Sequence, residues 1–261
     1  MDHLSYSSID TFRRCGEQYR QRYIEGRIQP PGIAMLKGSG VHKGAEANWV
    51  QKIESHQDMK KTDIIAAAAS GFEEKVDKAG EIMLNDEERT EGKDKVIGKA
   101  LDSIVSLAGL YADEMAPTIQ PTAAELKLEQ EIEGIKILSF IDLVDDKSNI
   151  RDMKVTGKSK SQNDVDSSSQ LTLCAIAYMK EFGPHGSLII DNLVETKVPK
   201  YVSLTTKRDD NDYIRLIKTI QAVGNAIKTG VFLPPTDGHW VCSPRFCGYY
   251  GSCEYTRKGG F

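Results

Sequence analysis

Residues 135–160 read IKILSFIDLVDDKSNIRDMKVTGKSK. Two apolar-rich runs, 135–144 and 149–155, flank the polar stretch Asp145-Asp146-Lys147-Ser148-Asn149. That pattern predicts two antiparallel strands joined by a five-residue turn. With such a turn, Val144 faces Ile150 and Asp142 faces Asp152. Side chains of directly opposed residues share a face, with Cβ atoms roughly 5 Å apart. Two carboxylates at that distance repel each other unless a cation lies between them. Strand alternation puts Lys154 on the same face as Asp152. Acids of this kind hold Mg²⁺ or Mn²⁺ through oxygen, and the cation polarises a phosphate and lowers the pKa of a bound water. Lysine, a compact point charge, orients that water and stabilises the negative charge that develops. An exposed acid pair that Lys154 merely neutralises has the same spacing, so both readings stay open at this point.

Working outward, 124–134 reads as a strand before the hairpin, 170–182 as a buried helix after it, and 187–198 as one or two further strands. Ile214, Ile217, Ile220, Val223 and Ile227 fall at helical spacing over 212–228, with Gly230 as the C-cap. Upstream, 5–25 predicts one helix capped by Ser7 or Ser8, and Pro30-Pro31-Gly32 breaks the chain. Gly38-Ser39-Gly40 then leads into a helix over 41–50 that puts His42 and Glu46 four apart on one face. Residues 60–115 are Ala-, Glu- and Lys-rich at a 3.6 period, which predicts two or three helices without evident chemistry. Strands and helices in this order imply an α/β fold, a mixed sheet framed by helices, and the chain has no internal repeat.

The 261 residues are 39% hydrophobic and 28% charged, the composition of an ordinary globular domain. No apolar run approaches the roughly 18 residues of a membrane span. The start, MDHLSYSSIDTF, lacks the features of a signal peptide. The expectation is a cytoplasmic protein without a membrane partner. The net charge of −4 is unevenly spread: +2 over 1–60, −11 over 61–195 and +5 over 196–261. Basic ends around an acidic centre fit a phosphate-binding surface about a metal site, although solvated acidic helices explain most of the −11. Of five cysteines, Cys242, Cys247 and Cys253 crowd the last 20 residues, and in a cytosolic chain a terminal cluster points to a metal site.

These stretches, taken in order, resemble the PD-(D/E)XK nuclease superfamily, and within it the RecB-type branch that includes CRISPR-associated and phage-encoded exonucleases. LSYSSIDTFRRCGEQYRQRY resembles the branch's opening helix, GSGVHKGAE its metal-binding histidine, and FIDLV with IRDMKVTGKSKS its two catalytic strands. SSSQLTLCAIAY resembles the helix that follows, and WVCSPRFCGYYGSC the cysteine-rich end. The resemblance implies a restriction-endonuclease-like core in a single nuclease domain spanning 1–261. Within it, a mainly helical part (1–120) with Cys15 and His42 precedes the catalytic sheet (121–200) and a helix with a cysteine-rich end (201–261). It implies catalytic Asp142, Asp152, Lys154 and Gln170, and metal ligands His42, Asp142, Asp152 and Met153 for Mg²⁺ or Mn²⁺. Glu125, which matches loosely an acidic residue of the preceding strand, and Glu46 are further candidates; so is Tyr178, one turn beyond Cys174, which stands where the family usually has a tyrosine and is read as a buried apolar residue.

Cys15, Cys242, Cys247 and Cys253 would hold a structural [4Fe–4S] cluster; zinc and free thiols are the alternatives that the donor set alone allows. The aromatics Trp240, Tyr249 and Tyr250 are read as packing around that site rather than stacking on bases. The implied activity is metal-dependent DNA exonuclease cleavage in phage or cellular recombination, repair or processing, in a bacterial or phage-infected cytoplasm. Its partners would be DNA ends or single strands, with a recombination protein or a homo-oligomer as candidate associates. A non-catalytic DNA-end-binding or partner-docking module and a structure-specific endonuclease are the competing readings.

Overall fold

The computed structural model describes residues 3–256, so residues 1–2 and 257–261 of the expected segments lie outside the described residues. In chain order the elements are β1 Leu4–Ser5, α1 Tyr6–Arg14, α2 Gly16–Tyr19, α3 Ile33–Ser55, α4 Lys61–Ala79, α5 Asp86–Glu91 and α6 Lys93–Leu110. They continue with β2 Pro121–Ile132, β3 Ile135–Asp145, β4 Ile150–Thr156, α7 Gln162–Asp166, α8 Ser169–Phe182, β5 Leu188–Val194, β6 Lys200–Thr206 and α9 Asp210–Lys228. The sheet is mixed, in the order β1-β3-β4-β5-β6, with β2 also paired to β3. Two compact units are present, one of residues 30–128 and 140–209, the other of 3–29, 129–139 and 210–256 among those described. None of the described helices is long and apolar enough to cross a membrane.

In the larger unit the 145–149 turn and its register match the expectation, with Val144 opposite Ile150 and Leu143 opposite Arg151. Asp145 builds that turn locally: its carboxylate accepts the backbone N–H of Lys147 (3.0 Å) and Asn149 (2.9 Å) and the Asn149 amide (3.0 Å). β4 pairs parallel with β5 from Ile150↔Leu188 to Thr156↔Val194. β5 is buried along its whole length, including Asp191. A buried carboxylate needs a partner, and Arg151 supplies it through Nε at 2.9 Å and Nη2 at 3.0 Å, while Tyr201 Oη donates at 2.6 Å. Arg151 also reaches Asp145 (3.2 Å), so one guanidinium ties the hairpin turn to β5. β6, antiparallel to β5, lies at 200–206, beyond the predicted strand segment, because its exposed, polar alternation gives little apolar signal.

Two expectations on the helical side are corrected. Gly38-Ser39-Gly40 is not a lead-in loop but part of the 23-residue α3. Glycine serves close helix contact here: a Cβ at Gly44 would come within 2.7 Å of the Ile64 carbonyl, and one at Gly40 within 2.8 Å of Phe72 Cβ. The tight α3–α4 pair, with α6, covers a core of Trp49, Phe72, Ile104, Leu107 and Tyr111 that Leu143, Met153 and Leu193 close from the sheet.

The other correction concerns 5–25, which is not one helix. In the smaller unit Cys15 adopts an extended conformation, ends α1, and caps α2 through Sγ, which accepts from Gln18 N at 3.2 Å. Gly16 follows because a Cβ there would strike the Leu233 backbone at 2.7 Å. Phe12, Tyr19 and Phe232 pack ring against ring, and β1 pairs parallel with the start of β3 at Leu4↔Ile137.

Candidate active site

β3 and β4 deliver the acidic pair, and α3 delivers the histidine. Beyond Leu143↔Arg151 the strand ladder gives way: the Met153 N–H donates to Asp142 Oδ2 at 2.9 Å. His42 Nε2 lies 2.8 Å from the Met153 carbonyl oxygen, and Nδ1 lies 3.8 Å from Asp142 Oδ2. Burial lowers the His42 pKa despite the attraction of Asp142, which keeps the imidazole in its neutral, ligating form.

Glu125 completes the set. Midway along β2 it holds a left-handed backbone (φ 48°), a conformation that costs a non-glycine residue about 1–3 kcal/mol. Ligand atoms of His42, Glu125 and Asp142 all lie within 4.8 Å of one another. Donors held at about 2.0–2.6 Å from a hard cation lie no further apart than about 5 Å, so the three fit one Mg²⁺ or Mn²⁺. Desolvation, then the neighbouring Asp142 and Glu46, push the Glu125 carboxyl up to about 7, the expected result of crowding acids around a cation position.

Asp152 is 4% exposed and stands apart from this three-donor set. Lys154 Nζ lies 2.8 Å from each of its oxygens, and Gln170 Nε2 donates to Oδ1 at 2.7 Å. Lys154 also donates to Gln170 Oε1 (3.2 Å), which closes a triangle of acid, amine and amide. Burial opposes the Lys154 charge, but Asp152 and Asp142 outweigh it and raise the pKa, so the amine is a cation. Burial likewise raises Asp152, against the pull of Lys154. Gln170 arrives on the first turn of α8, whose N-cap Ser168 accepts from Leu171 N.

A cavity of about 620 Å³ opens on His42, Glu46, Glu125, Asp142, Met153 and Lys154. Glu46, one turn beyond His42, is paired with Lys43 at 2.7 Å. Tyr178 does not line the cavity; its ring packs on Phe182 with centroids 5.0 Å apart. Cys174 is buried, its thiol donating to the Phe140 carbonyl at 3.4 Å. Lys75 and Lys78 of α4, from a segment without evident chemistry in the sequence, line the same cavity. Solvated helical lysines carry no local signal of such a position.

In the smaller unit Cys15, Cys242, Cys247 and Cys253 all line a second, narrow cavity of about 20 Å³. Among the described residues, no three of their sulfurs lie within 4.8 Å of one another. Burial raises the Cys15 and Cys247 thiols against nearby backbone N–H groups. Buried Tyr249 lines this cavity as expected, but Trp240 does not: it is 55% exposed, stacked on His239 and edge-on to Phe246.

The chain is similar over its full length to the crystal structure of a "putative exonuclease" from Eubacterium rectale, with a TM-score of 0.61, 13% identity and 91% of that chain covered. A second solved structure, SSO0001, matches 82% of this chain and 96% of its own at 13% identity and a TM-score of 0.37. No curated protein matches. The family model of the PD-(D/E)XK nuclease superfamily matches residues 3–254. With nearly all of its length inside that match, and the acid pair and lysine on adjoining strands, the chain belongs to the PD-(D/E)XK nuclease superfamily.

Proposed function

We propose that the chain, acting as one nuclease over 1–261, is a divalent-metal-dependent DNA exonuclease of RecB type serving phage or cellular recombination, repair or processing. The carrying observation is the convergence of His42, Glu125 and Asp142 within 4.8 Å beside a cationic Lys154. His42, Asp142, Glu125 and the Met153 carbonyl would hold Mg²⁺ or Mn²⁺, with Asp152 adjoining. The ion would polarise the scissile phosphate and acidify the attacking water. Lys154, kept charged by Asp152, donates hydrogen bonds to the oxygens on which negative charge grows. Gln170 bonds both Lys154 and Asp152, and so holds the amine's position while the phosphodiester bond breaks.

Cys15, Cys242, Cys247 and Cys253 hold a structural [4Fe–4S] cluster in this reading, supported by the four thiols that line one cavity. Its role would be to fix Cys15, at the α1–α2 break, against the C-terminal turns.

The test is degradation of end-labelled linear DNA with Mn²⁺ or Mg²⁺, beside closed circular DNA and RNA. Loss of linear DNA from its ends, abolished by EDTA, is the expected result. Cleavage of circular DNA would replace the exonuclease reading with an endonuclease. No cleavage by a folded, cluster-loaded protein would favour the binding module.

A further inference from the structure

α3 carries three glycines, and packing explains only two of them. Gly40 and Gly44 are pressed against α4, whereas a Cβ at Gly38 would meet nothing within 4 Å. Glycine inside a helix costs roughly 0.5–1 kcal/mol relative to alanine, and nothing in the fold repays that cost at Gly38. Gly38 instead lines the 620 Å³ cavity with Ala34, Met35 and Ser39, so at Gly38 itself the helix backbone is open to the cleft.

Besides Lys154, three lysines line the same cavity: Lys43 from α3, and Lys75 and Lys78 from α4. Their setting differs from that of the donor set. The side chains of Lys43 and Lys78 are 54% and 71% exposed, against 16% for Asp142. Glu74 also lines the cavity and pairs with Lys78 at 2.5 Å. Gly71 of α4 makes room for the Lys43 stem, since a Cβ there would come within 2.7 Å of Lys43 Cβ. Among the described residues no Phe, Tyr or Trp lines the cavity, so these offer no stacking platform for bases. A wall on which a chain can approach the helix backbone, with exposed lysines that can exchange their glutamate partners for phosphate and no base-reading groups, matches a sugar–phosphate backbone.

We propose that the part of the cleft bounded by Gly38, Lys43, Lys75 and Lys78 seats the phosphate backbone of one DNA strand, irrespective of sequence, beside the reacting phosphate. The inference rests on the nuclease reading of the site and adds the substrate's track to it.

The test is binding of a fluorescein-labelled single-stranded oligonucleotide in EDTA, so that no bond is cut, across a salt series. Lys75→Ala with Lys78→Ala is expected to weaken binding about tenfold and to flatten the slope of log K against log salt by about 1.4, two phosphate contacts' worth. Gly38→Leu is expected to weaken binding by at least about tenfold with an unchanged or higher melting temperature, because leucine is the better helix former. Lys95→Ala with Lys99→Ala removes the same charge from α6, outside the cavity, and is expected to leave affinity within about twofold, as exposed charges remote from the contact do. An unaltered salt slope in the Lys75/Lys78 variant, an equal loss in the α6 control, or a wild type that does not bind would overturn the proposal. Binding by a wild type that cleaves nothing in Mn²⁺ sinks the nuclease reading and leaves this track standing. Cleavage accompanied by unaltered binding in the variants does the reverse.

Discussion

The two donor-rich regions of this chain are held in place by opposite means. Asp142, Asp152 and Lys154 project from paired strands and His42 from a 23-residue helix, and their bonds reach across distant parts of the sequence, as from His42 to Met153 and from Lys154 to Gln170. Behind them the Arg151–Asp191–Asp145 network locks β4 to its neighbours. Cys242, Cys247 and Cys253 sit instead on turns closed by short-range backbone bonds, to His239, Ser243 and Tyr249, each 2.9 Å long. An oxygen–nitrogen site supported by long-range structure is pre-organised for its ion. A thiol site supported by local turns draws much of its cohesion from whatever the thiols hold together.

The sharpest way to break this contrast is Cys15→Ala. Loss of a structural metal ligand is among the few changes that cost roughly 4 kcal/mol or more, so bound iron should vanish and the melting temperature fall by about 10 °C. Unchanged iron and stability, read by iron assay and calorimetry, would leave these cysteines as ordinary thiols. Arg151→Met comes next. It leaves Asp191 and Asp145 without their guanidinium, and stripping one partner from a buried network costs about 3–5 kcal/mol. Chemical denaturation should register that loss with iron content intact.

Lys154→Ala should separate chemistry from fold: kcat drops about 10²- to 10³-fold, the scale for removing one transition-state donor, while the cysteine site keeps its iron. A variant as active as the wild type would remove Lys154 from the mechanism. The smallest effect is expected from Mn²⁺ itself. At 100 times its Kd it should stabilise the protein by about 2.7 kcal/mol, and Glu125→Gln should shrink that gain. An equal gain in the Glu125→Gln protein would exclude Glu125 as a ligand.

Much of the sheet was legible because its causes are local. Asp145 builds its own turn, turn length sets register, and register fixes which side chains oppose. Gly38-Ser39-Gly40 misled because a glycine pair reads as a loop until the helix it packs against is known. Cys15 looked helical because the aromatic periodicity runs through it, while the break there follows from its extended backbone and the close approach of Leu233 at Gly16.

By itself the sequence determined the hairpin turn and its Val144–Ile150 register, the face that Lys154 shares with Asp152 and the family these motifs carry, since strand alternation and turn chemistry act over a few residues; the expected opposition of Asp142 and Asp152 gives way, because the ladder ends at Leu143 and Arg151. Only the tertiary structure decided that Glu125 turns from β2 to join His42 and Asp142, that Asp152 is held by Lys154 and Gln170, and that α4 lends Lys75 and Lys78 to the cleft. Those meetings join elements tens of residues apart, and packing and close helix contact set such distances where no local pattern can.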